Sequence, residues 1–201
     1  MKQVKYNNFT RIKTEGLVLD NFYYFPSALN DEAIERVNSL GAALPTKRGV
    51  IGGAALVADE SYRTSSVAWI PLASEHHWLY DLLGKYGVLA NERMWNFAIS
   101  GCSEEIQYAT YHANNQGHYD WHMDLGKSAS HRKISISVQL SDPSEYEGGD
   151  LNFMAGRSVQ TGPRSKGSVI AFPSYLLHRV TPVTAGTRRS LVLWLSGEPF
   201  R

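Results

Sequence analysis

The sequence has one cysteine, Cys102, in 201 residues. An intrachain disulfide is therefore excluded, and so is a thiolate metal cluster, which needs several sulfur ligands. Cys102, beside Gly101, reads as an ordinary small residue. Net charge is also nearly lacking: 20 Lys+Arg against 19 Asp+Glu leave a formal +1. Neither Lys47-Arg48 nor Arg188-Arg189 extends into a basic stripe, so the broad electrostatic footprint of a nucleic-acid or anionic-membrane binder is missing. No apolar run approaches the ~20 residues of a bilayer span. The lysines near Met1 are not followed by the apolar segment of a signal peptide. The expectation is a soluble, cytoplasmic protein with no nucleic-acid and no membrane partner, its oligomeric state left open.

What is present suffices for a core: 43% of residues are hydrophobic and 19% charged. The length suits a single domain over 1–201, with a helix-containing support region at 1–100 and a strand-rich core at 101–201. No repeat or linker interrupts it. Residues 16–25 read as an aromatic strand. Pro26-Ser27-Ala28-Leu29-Asn30 then opens a helix capped by Asn30, with Ala33, Ile34, Val37 and Leu40 at helical spacing and Gly41 and Pro45 at its exit. A second helix is expected after Ser74, carrying Trp78, Leu79, Leu82 and Leu83 on one side despite Gly84 and Gly87. His76 and His77 fall in its first turn and are expected to be exposed.

From Met94 onward the pattern changes to short strands, at 94–100, 105–112, 118–123, 151–154, 168–172, 178–183 and 190–195. Ile134, Ile136, Val138 and Leu140 alternate with Ser135, Ser137 and Gln139, the two-residue period of a sheet with one face in the core. Turn signals separate these runs, among them Asn114-Asn115-Gln116-Gly117, Asp142-Pro143, Gly148-Gly149-Asp150 and Ala185-Gly186. The predicted class is α+β, mainly β: a barrel or a double-sheet jelly roll, preceded by helices packed on one sheet.

Within this frame stands His122-Met123-Asp124, answered far downstream by His178 and then Arg188. Residues two apart in a strand share a side, so His122 and Asp124 can reach one ion. For the tripeptide alone, a buried histidine hydrogen-bonded to an aspartate is the competing structural reading. His178 adds a third ligand from a strand that a jelly roll would bring alongside. Two imidazoles and one carboxylate suit non-haem Fe(II) and leave coordination positions open. Arg188 lies ten positions further (188 − 178), at the start of a return strand after an expected turn at 184–187. An arginine offers a permanently charged fork for a carboxylate, although Arg189 should face the opposite way and spacing does not say which of the two turns inward.

Six blocks in order resemble the Fe(II)/2-oxoglutarate-dependent dioxygenases of the prolyl 4-hydroxylase type, and bacterial PKHD-type hydroxylases in particular. They are Gln107-Tyr108-Ala109-Thr110-Tyr111, Gly117-His118-Tyr119 with His122-Met123-Asp124, Glu147-Gly148-Gly149-Asp150-Leu151, Gly167-Ser168-Val169-Ile170-Ala171-Phe172-Pro173, His178-Arg179-Val180-Thr181-Pro182-Val183, and Gly186-Thr187-Arg188-Arg189-Ser190. Arg132, before the alternating strand, belongs to the same pattern. Tyr62–Ile70 resembles the segment over the substrate entrance of prolyl hydroxylases. The resemblance implies a double-stranded β-helix (jelly roll) that uses Fe(II), 2-oxoglutarate and O2, with ascorbate a candidate addition. It implies His122, Asp124 and His178 as metal ligands and Arg188 as the anchor of the cosubstrate's far carboxylate. Tyr111, Ser190, Gln139 and Trp194 are the further cosubstrate candidates, Gln139 standing where some relatives have a tyrosine. Arg63, Trp69 and Tyr119 are the substrate candidates. The expected substrate is a peptide or protein containing proline. A hydroxylase of a free amino acid or small metabolite, and a non-catalytic jelly-roll binding module, are the alternatives.

Overall fold

The computed structural model describes residues 21–49 and 59–200. The expected first strand begins outside these residues; its described part is β1 (Tyr23–Phe25). The helix α1 (Asp31–Ala43) begins as its sequence dictates. Asn30 accepts a hydrogen bond from the Ala33 amide at 2.9 Å, and Asp31 and Glu32 sit in the first turn, where the helix dipole favours negative charge. Short strands β2 (Lys47–Arg48), β3 (Arg63–Thr64) and β4 (Ser66–Ile70) follow.

A single 3-10 turn leads into α2 (His77–Met94), which buries Leu79, Leu83, Gly87 and Ala90 and half-buries Trp78 and Leu82. His77 is exposed as expected, but His76 is buried, its Nδ1 3.0 Å from the Pro71 carbonyl oxygen. That hydrogen bond ties the turn to the end of β4. The expected strand at 94–100 does not form either. α2 runs to Met94, and the Asn91 side chain bonds both the amide and the carbonyl of Phe97, holding this segment outside any ladder.

The remaining strands are β5 (Ile106–His112), β6 (His118–His122), β7 (Arg132–Gln139), β8 (Tyr146–Gly148), β9 (Leu151–Ala155), β10 (Ser158–Thr161), β11 (Val169–Pro173), β12 (His178–Val180) and β13 (Val183–Ser196). All their pairings are antiparallel. One sheet runs β1-β11-β7-β13-β5-β4-β2, with β8 also on β13; the other runs β10-β9-β12-β6-β3. The fold is mostly β, as the sequence predicts. The helices pack on the larger sheet, α2 against β1, β7, β11 and β13, and α1 against β4. Their apolar residues form one core with Ile134, Ile136, Val138, Leu191, Leu193 and Leu195. A second core draws on both sheets: Ala109, Tyr111, Leu151, Phe153, Ile170, Phe172 and Val180.

Two local features differ from the sequence reading. Residues 184–187 are not a turn but part of β13, which runs unbroken for 14 residues. The glycine signal there marks a bulge: the pairing with β8 shifts register between Val183 and Ala185, and Gly186 has φ +69°. The corner is made instead by Thr181-Pro182, where the expected 178–183 strand breaks after Val180. In β7 both faces are covered. Ile134, Ile136 and Val138 meet the helices, and Ser135, Ser137 and Gln139 are buried on the other side.

Candidate active site

β6 and β12 are neighbours in register, with His122 directly opposite His178. Their imidazole centroids lie 4.2 Å apart. Asp124 follows two residues after the last residue of β6, and the ligating atoms of all three side chains fall within 4.8 Å of one another. Each histidine is fixed by its other nitrogen. Nδ1 of His122 lies 2.7 Å from the Asp120 carbonyl and Nδ1 of His178 2.8 Å from that of Leu176. A carbonyl only accepts, so both Nδ1 atoms carry a proton and both Nε2 atoms are the ones that face the cluster.

The Asp124 oxygens stand 3.8 Å from Nε2 of His122 and 3.6 Å from Nε2 of His178. These separations are too long for hydrogen bonds, which removes the reading of a simple buried His–Asp pair. Three donor groups held apart around a common centre are what a divalent cation requires, and two imidazoles with a carboxylate match a non-haem Fe(II) donor set. Burial, followed by the neighbouring His178, pushes the His122 pKa down to about 3, which keeps its Nε2 free of a proton. Burial pushes the Asp124 carboxyl up, but His178, His122, the Ser135 hydroxyl and Arg132 outweigh it and hold the group ionised.

Arg188 comes from β13 in the other sheet. It is the member of the Arg188-Arg189 pair that turns inward, and it is 1% exposed. Its guanidinium donates to Gln139 Oε1 at 3.0 Å and to Ser190 Oγ at 3.3 Å, and it lies 5.4 Å from the Tyr111 ring centre. Its Nε has no partner, and among the described residues no carboxylate pairs with it. A buried, permanent cation without a counter-ion is costly to retain, and it marks a place prepared for an anion.

Both groups line one cavity of about 480 Å³. Tyr111, Ser190 and Trp194 line it as well, as do Arg63, Trp69 and Tyr119. Gln139 is the exception among the sequence-derived candidates. It stands behind Arg188, with its amide nitrogen donating to the Pro163 carbonyl at 3.2 Å, and does not reach the cavity. Tyr119 stacks on His122 with centroids 3.5 Å apart, and the Arg63 guanidinium lies 4.4 Å from the centre of the Tyr119 ring. Burial pushes the Tyr119 pKa up to about 12, against the pull of Arg63, so the phenol stays protonated. Arg63 also donates to Ser65 and to Gln107. Trp69, 37% exposed, and Met123, 54% exposed, stand where the cavity meets solvent.

Several contributors were not evident from sequence reasoning. Ser135 donates to Asp124 Oδ2 at 2.6 Å, and Glu104 takes both Nε and Nη2 of Arg132. Gln107 holds Arg63. The polar face of β7 was the available signal, since a serine face alternating with Ile and Val either meets water or lines a cavity. Glu104 carries no motif at all.

The fold and this cluster define a mostly β protein in which a His–Asp–His triad that could hold a metal ion shares a cavity with a buried arginine. Comparison with known proteins gives a likeness to one class: residues 106–196 match the 2OG-Fe(II) oxygenase superfamily. Among curated relatives, a PKHD-type hydroxylase of Teredinibacter turnerae is 36% identical over 87 residues, covering 40% of this chain and 38% of that protein. One from Picosynechococcus sp. is 44% identical over 62 residues, covering 31% of this chain and 28% of the relative. The chain thus aligns with well under half the length of these relatives. Two solved structures share the fold over most of its length. A Trichoplax adhaerens prolyl hydroxylase in complex with a hypoxia inducible factor oxygen degradation domain peptide fragment superposes with TM-score 0.72 at 19% identity, over 88% of this chain and 83% of that one. A Pseudomonas putida prolyl-4-hydroxylase superposes with TM-score 0.67 at 18% identity, over 89% and 93%.

Proposed function

We propose that this protein is an Fe(II)- and 2-oxoglutarate-dependent hydroxylase of the prolyl hydroxylase type, built as one jelly-roll domain over 1–201 and acting on a proline-containing peptide or protein. One observation carries the reading. A buried arginine without a counter-ion, Arg188, shares a cavity with the convergent His122, Asp124 and His178. A metal chelator with a second carboxylate at its far end satisfies both features at once, and 2-oxoglutarate has that form.

In this reading the three ligands hold the iron, which with 2-oxoglutarate and O2 supplies the oxidising power for hydroxylating a C–H bond, yielding succinate and CO2. The protein's share is placement and electrostatics. Arg188 binds the far carboxylate by a charge-assisted contact worth ~1.5–3 kcal/mol, which discriminates a diacid from a monoacid by roughly 10–150-fold. The Ser190 and Tyr111 hydroxyls stand ready as further donors in the same cavity, and Trp194 lines its wall. Gln139 acts through Arg188, orienting the guanidinium from behind. Tyr119, stacked on His122, and Arg63, stacked on Tyr119, fix the ring that faces the metal and border the substrate's path, with Trp69 at the mouth.

The peptide substrate is supported by the Trichoplax relative, which carries a peptide fragment on a similar fold. The test has two stages. Anaerobic mixing of the protein with Fe(II) and 2-oxoglutarate is expected to give the visible absorption of a metal-chelated keto acid. A colourless mixture with no oxygen uptake would leave a binding module. Incubation with a panel of proline-containing peptides is then expected to add one oxygen atom, by mass spectrometry, only when 2-oxoglutarate is present. Oxygen gain on free amino acids or small metabolites alone would reassign the substrate.

A further inference from the structure

Asp124 lies beyond the last residue of β6, so no strand ladder fixes the most important turn of the site. It is held instead from β7, at both of its ends. Arg132, at the start of β7, donates from Nη1 to the Asp124 carbonyl at 3.1 Å. Ser135, three residues along the same strand, donates to Oδ2 of the carboxylate at 2.6 Å. Each anchor is itself locked. The Arg132 fork takes both oxygens of Glu104 and lies with its carbon 3.8 Å from the centre of the Trp194 ring, while Glu104 also meets His131.

The hydroxyl side has a fixed direction. An ionised carboxylate only accepts, so the one Ser135 proton goes to Asp124. The 3.1 Å contact between the Ser135 and Ser174 hydroxyls must then have Ser174 as donor. Ser174 is fully buried, and its carbonyl takes the Leu125 amide at 2.9 Å. The relay therefore ties the segment after Asp124 to the loop that leads into His178.

We infer that Ser135 and Arg132 are positioning residues for the metal site. Ser135 aims the Asp124 carboxylate and engages one of its two oxygens, favouring coordination through a single oxygen. Arg132, braced by Glu104 and Trp194, holds the backbone that carries that carboxylate. The inference rests on the metal-binding reading above and goes beyond it, since neither residue touches the ion. Outer contacts of this kind are typically worth 10–100-fold in metal affinity.

Cobalt(II) provides a probe that needs neither cosubstrate nor turnover. The full chain is titrated with Co(II) alone, following visible d–d absorption, for wild type, Ser135→Ala, Ser135→Thr and Arg132→Lys, each checked for folding by circular dichroism. Ser135→Ala is expected to bind Co(II) about 10–100-fold more weakly, with a changed spectrum, while Ser135→Thr, which keeps the hydroxyl, restores both. Arg132→Lys is expected to weaken binding as well, because a single ammonium cannot span Glu104 and the Asp124 carbonyl together. Folded Ser135→Ala and Arg132→Lys proteins with wild-type affinity and spectrum would overturn the inference. If Arg132→Lys does not fold, the Ser135 pair decides alone. A wild-type chain that binds no Co(II) would instead overturn the metal-site reading itself, and the positioning roles with it.

Discussion

Arg188 and His178 are both buried in one cavity, yet the two side chains should fail differently when removed. Arg188 is far from being a ligand: it comes from the other sheet and touches Gln139 and Ser190. Arg188→Ala is expected to raise the 2-oxoglutarate concentration needed for half-maximal succinate release by roughly 10–150-fold, with metal binding retained. His178→Ala removes a donor, so metal binding and turnover should both be lost. Succinate release with an unchanged 2-oxoglutarate requirement in Arg188→Ala would end the assignment of that residue. Glu104 makes a separate prediction through pH. Burial pushes its carboxyl up, but the Arg132 fork and then His131 outweigh this and leave the pKa below its ordinary 4.5. A depressed carboxylate pKa contributes stability above 4.5 that is lost as pH falls through the lower folded value. Glu104→Gln should therefore reduce stability near neutral pH and flatten the acid limb of the stability curve below pH 4.5, as followed by urea unfolding across pH. An acid limb as steep as that of wild type would show that this carboxylate does not govern it.

Among the elements, α2 and β7 do most to place the site, because the helix presses the sheet from outside while the strand's other face lines the cavity. The contact depends on one missing side chain. A Cβ at Gly87 would come within 2.6 Å of Ile136 Cδ1 and Leu195 Cδ1, whereas one at Gly84 would meet nothing within 4 Å. Gly87→Ala is expected to destabilise the fold by about 1–3 kcal/mol through overpacking. Gly84→Ala should stabilise it by about 0.5–1 kcal/mol, because alanine loses less backbone freedom in a helix. Denaturant midpoints would check the pair, and equal shifts of the same sign would contradict the packing argument. These same elements show how far the sequence could be read. α1 and its Asn30 cap, and strands β5, β7, β9 and β11, follow directly from periodicity and turn residues, because those signals are local. The roles of Ser135, which holds Asp124, and of Ser137, which lines the cavity, did not follow, since a two-residue period separates two faces without saying what covers each. The continuous β13 was misread because a positive-φ glycine serves a bulge as readily as a turn. The inward choice between Arg188 and Arg189 was not legible from spacing and came only from the family resemblance: it depends on the register that pairs Arg188 with Tyr111 of β5.

At the scale of the whole molecule, the residues of the candidate site divide between two sheets. His122 and His178 belong to the β10-β9-β12-β6-β3 sheet, while Arg188 belongs to the larger sheet that the helices brace. Under the proposed function, a diacid chelated to the metal would span the sheets and link them, so its binding would contribute to global stability and not only to the site. Any ligand that binds the folded chain alone stabilises it by about 2.7 kcal/mol at 100 times its dissociation constant, which for a domain of this size is a rise in melting temperature of roughly 5–11 °C. The division between sheets orders the expected effects. Metal alone should produce its own rise through the His–Asp–His cluster. 2-Oxoglutarate alone, with the chelating end unsupported, should give little. Added together under anaerobic conditions, they should give a rise exceeding the sum of the separate effects, because each ligand supplies part of the other's site. Arg188→Ala should keep the metal component and lose most of the cosubstrate component. Thermal denaturation with a non-oxidisable divalent ion such as Mn(II) would measure all four conditions, and a 2-oxoglutarate effect that was independent of metal, or undiminished in Arg188→Ala, would mean that the diacid does not bridge the two sheets.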